Sequence, residues 1–192
     1  MRLQKRESSN EFSLEAYPVT TILPMQNSEV LFESVSGRLG SYLKRHKDLI
    51  TTSWVDRVRN SLAVPTASMT RPEIMDHIPD IFDAIIRALR QPRDDAAMAQ
   101  IQETSAQHVV VRWQNAYDLY AVLREIALLR TEFIYQMRLF EETHPEFGMT
   151  QRLFASTTIH RILDHVMSDS TDKFLKLTQG KTKSKRLTKR SS

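Results

Sequence analysis

The residues whose types and spacing point most clearly to chemistry are His108, Arg112 and Glu125. His108 and Arg112 are four residues apart, so on a helix they lie on one face, which Ile101, seven residues before His108, shares. Because this face is predicted to meet the core, we expect His108 to be half buried. Two interpretations follow from the residues: His108 senses a ligand or signal, or it is a neutral core histidine hydrogen-bonded to a carboxylate such as Glu125.

Glu125 is expected to be a buried carboxylate, because it lies on the apolar side of its helix with Val122 and Leu129. A carboxylate that leaves water requires a partner or a proton. The sequence offers Arg112 and Arg130 as partners. Such a network either fixes how two helices pack or forms a two-state element that a ligand or a change of pH biases.

Signatures of catalysis and of cofactor binding are missing from the sequence. There is no Cys, and the four Gly, at positions 37, 40, 148 and 180, form neither a Gly-x-Gly phosphate loop nor a Gly-x-Ser-x-Gly elbow. His160, Asp164 and His165 have helical spacing, but this set alone fits a solvated helix face better than a metal site. We therefore expect a protein that is not an enzyme and that holds no metal or cofactor.

The composition and charge are those of a globular domain with a basic end. Of the 192 residues, 41% are hydrophobic and 26% are charged, and the formal net charge is +4. Residues 179–192 hold six Lys and Arg and no acid, and without these six the chain has 21 basic and 23 acidic side chains. The rest of the chain therefore lacks the excess positive charge that is typical of nucleic-acid-binding domains. The basic end itself leaves a nucleic-acid-binding adaptor as an alternative function. With neither a signal peptide nor a membrane-length apolar run visible, we expect a cytoplasmic protein.

Apolar residues recur at three- and four-residue spacing from Glu29 onward, and this periodicity predicts an all-α protein. We expect one helical domain over residues 29–178. Residues 1–28 are expected to form a flexible leader, and residues 179–192 a basic, disordered tail.

Gly, Pro and helix-capping residues mark where the sequence predicts that helices begin and end. The first segment should run from about Glu29 to Ala63, with a break or kink at Gly37 and Gly40. The other boundary signals are a capping box, two prolines and several capping residues: Thr70 with Glu73, Pro79, Pro92, Asp94 or Asp95, Asp118 and Thr150.

Three blocks of the sequence carry a resemblance to a known family. They are Trp54, Val58 and Arg59 within residues 50–59; Asp76, His77, Ile78 and Pro79 leading into a helix to Leu89; and His108, Arg112, Tyr117, Asp118 and Leu119, followed by Leu123, Arg124, Glu125, Leu128, Leu129 and Arg130. In order and spacing these blocks resemble the amino-terminal regulatory domain of RsbRD-type proteins, which occurs in stressosome co-antagonists and ahead of some bacterial sensor histidine kinases.

The resemblance implies a single globin-like bundle of about five to seven helices that has lost haem, forms a homodimer and receives a signal. It also implies a protein partner in stress or two-component signalling, with a small-molecule ligand as a further option. The implied sensing pocket combines His108, Arg112, Glu125, Arg130, Trp54 and His77.

Two points qualify this family expectation. A haem- or tetrapyrrole-binding gas or redox sensor, with His108 on the iron, is the alternative. Ala116 stands where the family has Gly, and Ile126 where an aromatic residue is common, so we expect the packing of the two central helices to differ from the family.

Overall fold

Every secondary-structure segment in the described part of the chain is α-helical. The computed structural model describes residues 25–91 and 95–188. The longer helices are α1 Met25–Arg45, α2 Lys47–Ser61, α5 Ile78–Arg90, α6 Asp95–Gln114, α7 Leu119–Thr143 and α8 Met149–Thr188, and the short ones are α3 Ala63–Thr66 and α4 Arg71–Met75. The all-α prediction is confirmed, and the six longer helices fall within the predicted five to seven. Across the described ranges, no helix combines the length and apolarity needed to cross a membrane.

Two of the helices begin at the capping residues that the sequence predicted. The Thr70 backbone N–H donates to the Glu73 carboxylate at 2.7 Å, and the Glu73 N–H donates to the Thr70 hydroxyl, which completes the capping box of α4. The Asp118 carboxylate accepts a hydrogen bond from the Ala121 N–H at 2.7 Å and caps α7. Pro79 lies in the first turn of α5, where a missing N–H costs no hydrogen bond.

The first helical segment breaks at a different place from the predicted one. Helix α1 begins at Met25 and continues through Gly37 and Gly40, and the chain breaks at His46 instead. Gly40 has a packing role: a Cβ built there would lie 3.2 Å from the Ile86 carbonyl oxygen, so the missing side chain lets α1 approach α5 closely.

The chain ends of the predicted domain also differ from the structure. Helix α8 continues to Thr188, ten residues beyond the expected boundary at 178, and begins at Met149, one residue before the expected cap Thr150. Residues 1–24 of the expected leader and residues 189–192 of the expected tail lie outside the described residues. The cap expected at Asp94 lies outside them as well, and α6 begins at Asp95.

Helix α5 runs through the centre of the bundle. Eight of its residues are buried, so it contacts neighbours on several sides, chiefly α1 and α6. Phe82 of α5 packs against Phe133 of α7, with ring centroids 4.5 Å apart. Helix α8 covers α6 and α7. This arrangement holds α4, α6 and α7 around one buried polar cluster.

The two glycines of α1 give a matched test of this packing. We expect Gly37→Ala to raise the free energy of unfolding by about 0.5–1 kcal/mol, because no neighbouring atom lies within 4 Å of the added methyl and Ala favours helix. Gly40→Ala should show no such gain, because its methyl meets the Arg90 side chain and the Ile86 carbonyl oxygen. Urea denaturation of both variants checks this, and equal gains would contradict the close approach at Gly40.

Candidate functional site

The central residues of the site lie on two facing helices. His108 and Arg112 lie on the inner face of α6, and Glu125 lies on α7. All three side chains have 0% relative exposure, so His108 is fully buried and not half buried as expected. The three side chains therefore share one buried location.

Glu125 is the acceptor that connects the site. Its Oε2 accepts a hydrogen bond from Arg112 Nε at 2.8 Å and lies 3.1 Å from His108 Nε2. The expected hydrogen bond between His108 and Glu125 is therefore present. The indole Nε1 of Trp54 donates to the Glu125 backbone carbonyl oxygen at 3.1 Å, so Trp54 fastens α2 to α7 beside the site.

Arg112 connects a third helix, α4, to α6 and α7. Its Nη1 donates to the Glu73 carbonyl oxygen at 2.9 Å, and its Nη2 donates to the Ile74 carbonyl oxygen. These are backbone oxygens of α4. The guanidinium also lies over the Tyr117 ring, 5.3 Å from its centroid. One buried side chain thus holds α4, α6 and α7 together.

Asp76 connects the site to the surface. It follows α4 directly, with φ 33° and ψ −117°, a left-handed conformation that is strained for a residue other than Gly. Its Oδ2 lies 3.7 Å from His108 Nδ1, and its Oδ1 lies 3.4 Å from His77 Nε2. With 16% of its side chain exposed, Asp76 is in reach of solvent. We call Asp76, His108, Arg112 and Glu125 the buried ion cluster.

The charges of the cluster depend on each other. Burial by itself raises the pKa of Glu125, but the hydrogen bonds and charges of His108 and Arg112 outweigh burial and hold that pKa below its ordinary 4.5. Burial also raises the pKa of Asp76, but the nearby charges of His77, His108 and Arg112 outweigh burial and hold that pKa below its ordinary 3.8. Each ring nitrogen of His108 faces a carboxylate oxygen, Nε2 that of Glu125 and Nδ1 that of Asp76.

Several polar atoms around the cluster have no hydrogen-bond partner. Four of the eight buried side-chain atoms in this condition, among the described residues, belong here: Asp76 Oδ2, His108 Nδ1, Tyr117 Oη and Glu125 Oε1. Burial and the Glu125 charge also raise the pKa of Tyr117. A buried polar atom that finds no partner costs about 1–3 kcal/mol, so these atoms are the part of the cluster with the least favourable environment.

Of the two arginines that the sequence offers as partners of Glu125, Arg112 pairs with it and Arg130 does not. Arg130 Nη2 bonds to the Asp164 carboxylate of α8 and lies 3.5 Å from Met167 Sδ. Five residues separate Arg130 from Glu125, so the two side chains lie on different faces of α7, and Arg130 faces α8.

His77 lies at the rim of the site and not within it. Its ring is 25% exposed and lies 3.4 Å from Asp76 and 3.8 Å from Asp80. A surface groove of about 370 Å³ passes beside it, between α6, α8 and the turn before α5. Its lining is His77, Glu103, Ala106, Gln107, Val110, Val111 and Lys173.

Two members of the site, Asp76 and Tyr117, were not predicted as site residues from the sequence. Asp76 follows the capping box of α4, and a short capped helix ahead of a proline-initiated helix was the signal for a tight turn there. Its approach to His108 depends on the packing of α4 against α6, which local sequence does not encode. Tyr117 was visible only as part of the third block.

His108 does not fit the role of a haem ligand in this arrangement. Its Nε2 lies 3.1 Å from Glu125, and its Nδ1 faces Asp76 across 3.7 Å. An axial ligand needs one ring nitrogen directed at the iron. Both nitrogens of His108 are directed at carboxylates instead, so neither is available to a haem iron.

The end of α6 carries a second strained residue. Ala116 has φ 59°, and the Ala116 and Tyr117 N–H groups donate to the carbonyl oxygens of Trp113 and Arg112 at 3.2 and 3.0 Å. This is a Schellman motif, in which the left-handed position favours Gly. The side-chain contact between Tyr117 and Arg112 that accompanies this motif places Tyr117 next to the buried ion cluster.

Ala116→Gly is therefore expected to stabilise the protein. Removing the methyl relieves the left-handed strain, and we expect the free energy of unfolding to rise by about 1 kcal/mol. Thermal or urea denaturation of the two proteins measures the change. Ala106→Gly, in the interior of α6, is the control and should lower stability by about 1 kcal/mol. If Ala116→Gly also lowers the free energy of unfolding, residue 116 does not carry the left-handed strain described here.

Comparison of the chain with models of protein families, with curated proteins and with solved structures found no match in any of the three.

Proposed function

We propose that this chain is a non-catalytic signal-input domain, free of haem and dimeric, that regulates a partner protein in stress or two-component signalling. The observation that carries the proposal is the buried ion cluster, which joins three helices and reaches solvent at Asp76. A buried ionic network gives less stability than well-packed apolar residues often would, so a role beyond packing accounts for its presence. The sequence resemblance to RsbRD-type domains supports the same class.

The proposed switch is a change in the arrangement of α4 relative to α6 and α7. The strain at Asp76 and the unpaired atoms of the cluster both raise the free energy of the observed state. The switch would consist of a second arrangement that relaxes the backbone of Asp76 and pairs these atoms. A signal shifts the balance by binding one arrangement more tightly than the other, since equal affinity shifts nothing.

The groove beside His77 is the proposed point of input. It lies on the outer face of α6, whose inner face carries His108 and Arg112. His77 touches both the groove and Asp76, so a small molecule or a partner side chain placed there acts on the cluster through a single residue. Its volume of about 370 Å³ falls within the range of small-molecule sites.

A second copy of the chain is the proposed occupant of the exposed apolar surface. Five of the six exposed large apolar residues of the described chain lie on α7 and α8. They are Tyr120, Tyr135, Met149, Leu153 and Leu175, and the sixth is Leu49 on α2. Met149 and Leu153 are neighbours one turn apart, 79% and 67% exposed. A two-fold axis would bury this surface on both copies.

Mass and absorption of the purified full chain test the proposal together. Size-exclusion chromatography with light scattering and full-spectrum detection should give a colourless particle of twice the 22.3 kDa chain mass. Leu153→Glu should give a monomer, whereas Leu49→Glu, a matched change at a residue of 66% exposure on α2, should leave the dimer intact. A monomeric wild type would remove the dimeric domain, and a visible band near about 400 nm would replace it with a tetrapyrrole sensor.

A further inference from the structure

The outer face of α7 carries exposed aromatic and basic side chains in one row. Tyr120, Arg124, Tyr135 and Arg138 are all exposed, Tyr120 by 71% and Tyr135 by 48%. Their spacing along the helix places the four side chains within about 60° of each other around its axis. The row is about 27 Å long, at 1.5 Å per residue. We call these four residues the α7 stripe.

The positive charge of the α7 stripe is not compensated on its own helix. The two acids of this part of α7, Glu125 and Glu132, are buried on its inner side. Arg124 and Arg138 form no ion pair with any residue of the described chain. Tyr and Arg are also the residue types that contribute most energy to protein–protein contacts. The stripe therefore fits a polypeptide that is both acidic and apolar.

A segment of that composition lies in the same chain, outside the described residues. No Lys, Arg or His occurs from residue 7 to residue 37, which is the longest such stretch of the sequence. Within it, residues 7–24, which we call the acidic segment, contain three Glu and several large apolar residues. The acids are Glu7, Glu11 and Glu15, and the apolar residues are Phe12, Leu14, Tyr17, Val19, Ile22 and Leu23.

The acidic segment is long enough to reach the α7 stripe. It precedes Met25, the first residue of α1, and α1 packs directly against α7 and α8. Its 18 residues span up to about 60 Å when extended, more than twice the length of the stripe. Covalent attachment gives such a segment an effective concentration on the order of 1 mM. Weak contacts therefore suffice to hold it in place.

We propose that the acidic segment docks on the α7 stripe of its own chain. Its carboxylates pair with Arg124 and Arg138, and its apolar side chains cover the rings of Tyr120 and Tyr135. The regulatory consequence rests on the dimer proposed above, because Tyr120 and Tyr135 also belong to the dimer surface. The docked segment and a second copy exclude each other there, so the acidic segment limits dimerisation.

A spin label in the acidic segment of the full chain tests the docking directly. The chain has no Cys, so Ser13→Cys provides a single attachment site for a nitroxide. The methyl NMR signals of Ala127 and Ile134, which lie beside the stripe on α7, should lose intensity. The methyl signals of Val110, on the outer face of α6 across the bundle, should keep theirs. The docking is overturned if all three residues keep their intensity or lose it equally.

Charge reversal on the stripe separates docking from chance proximity. Arg124→Glu combined with Arg138→Glu should restore the methyl intensities, because the reversed stripe repels the acidic segment. Arg45→Glu combined with Arg90→Glu makes the same change in net charge at two exposed positions away from the stripe and should leave the loss in place. An equal response to both double variants overturns the proposal. Circular dichroism of each variant establishes that it is folded.

A mixed sample tests whether the segment acts on its own chain. It combines a spin-labelled chain without isotopes and an isotope-labelled chain without the nitroxide. At a concentration where the chain is monomeric, the mixture should show no loss of methyl intensity. A loss in the mixture as large as in the doubly labelled chain would place the segment on a second copy and overturn the assignment.

Light scattering over a range of protein concentrations tests the regulation. The triple variant Glu7→Gln, Glu11→Gln and Glu15→Gln should dimerise about tenfold more tightly than the wild type, because fewer chains have the surface covered. The matched control removes three exposed acids elsewhere, by Asp48→Asn, Glu142→Gln and Asp172→Asn. Equal affinities of the triple variant and the wild type overturn the regulation. A chain that stays monomeric in every variant overturns the dimer itself and the regulation with it, while the spin-label result still decides the docking.

Discussion

Replacing Arg112 with Met should lower the free energy of unfolding by about 3–5 kcal/mol, the largest loss expected of any single change. Met keeps most of the volume but removes the charge beside Glu125 and the donors to the carbonyl oxygens of Glu73 and Ile74. Glu125 would then be left fully buried with only His108 as a partner. Urea denaturation followed by circular dichroism measures the loss.

Arg130→Met is the matched control for this prediction. Arg130 is the other arginine that the sequence offered to Glu125, but it pairs with Asp164, whose side chain is 63% exposed. Solvent screens such a pair, so its removal should cost no more than about 1 kcal/mol. If the two variants lose equal stability, Arg112 contributes no more to the free energy of unfolding than an exposed ion pair does, and the prediction is wrong.

Glu125→Gln should cause the second large effect, a loss of about 3 kcal/mol at neutral pH together with a weaker dependence of stability on pH. The amide keeps the shape of the side chain but cannot compensate the charges of His108 and Arg112. In the wild type the pKa of Glu125 is lower in the folded than in the unfolded state. The stability linked to this difference is fully present above the ordinary pKa of 4.5 and is lost as pH falls through the folded value.

Unfolding free energies measured from about pH 7 down to pH 3 test this second prediction. The wild-type curve should fall below about pH 5, and the Glu125→Gln curve should fall less steeply, with Asp76 responsible for the slope that remains. Glu142→Gln is the control, because Glu142 lies on the same helix and is exposed. Parallel curves for the wild type and Glu125→Gln would show that Glu125 is not ionised within a compensated cluster.

The fold could be predicted where local signals decide it. Helical periodicity predicted the all-α class, and the hydroxyl of Thr70 and the carboxylate of Asp118 marked helix starts that the structure confirms. The pairing of His108 with Glu125 followed from two helical faces that each placed a polar residue among apolar ones. These predictions depend on neighbours within one or two turns, which the sequence displays directly.

The rest depends on how helices meet. Gly40 was interpreted as a helix break because Gly has low helix propensity, but its role is to admit α5 against α1. Arg130 was a chemically suitable partner for Glu125, yet it faces α8. A second carboxylate beside His108, that of Asp76, comes from a turn that is distant in sequence. Such contacts are set by the packing of helices that are far apart in sequence.

Methyl relaxation-dispersion NMR shows whether the buried ion cluster is a two-state element. We expect exchange on the microsecond to millisecond timescale at apolar residues on the helices of the cluster, such as Ile74, Val109 and Val122, and none at Ile162 in α8. Glu125→Gln should change the populations of the two states. Flat dispersion profiles at all of these methyl groups, in the wild type and in the variant, would show that the cluster has a single arrangement and is not a switch.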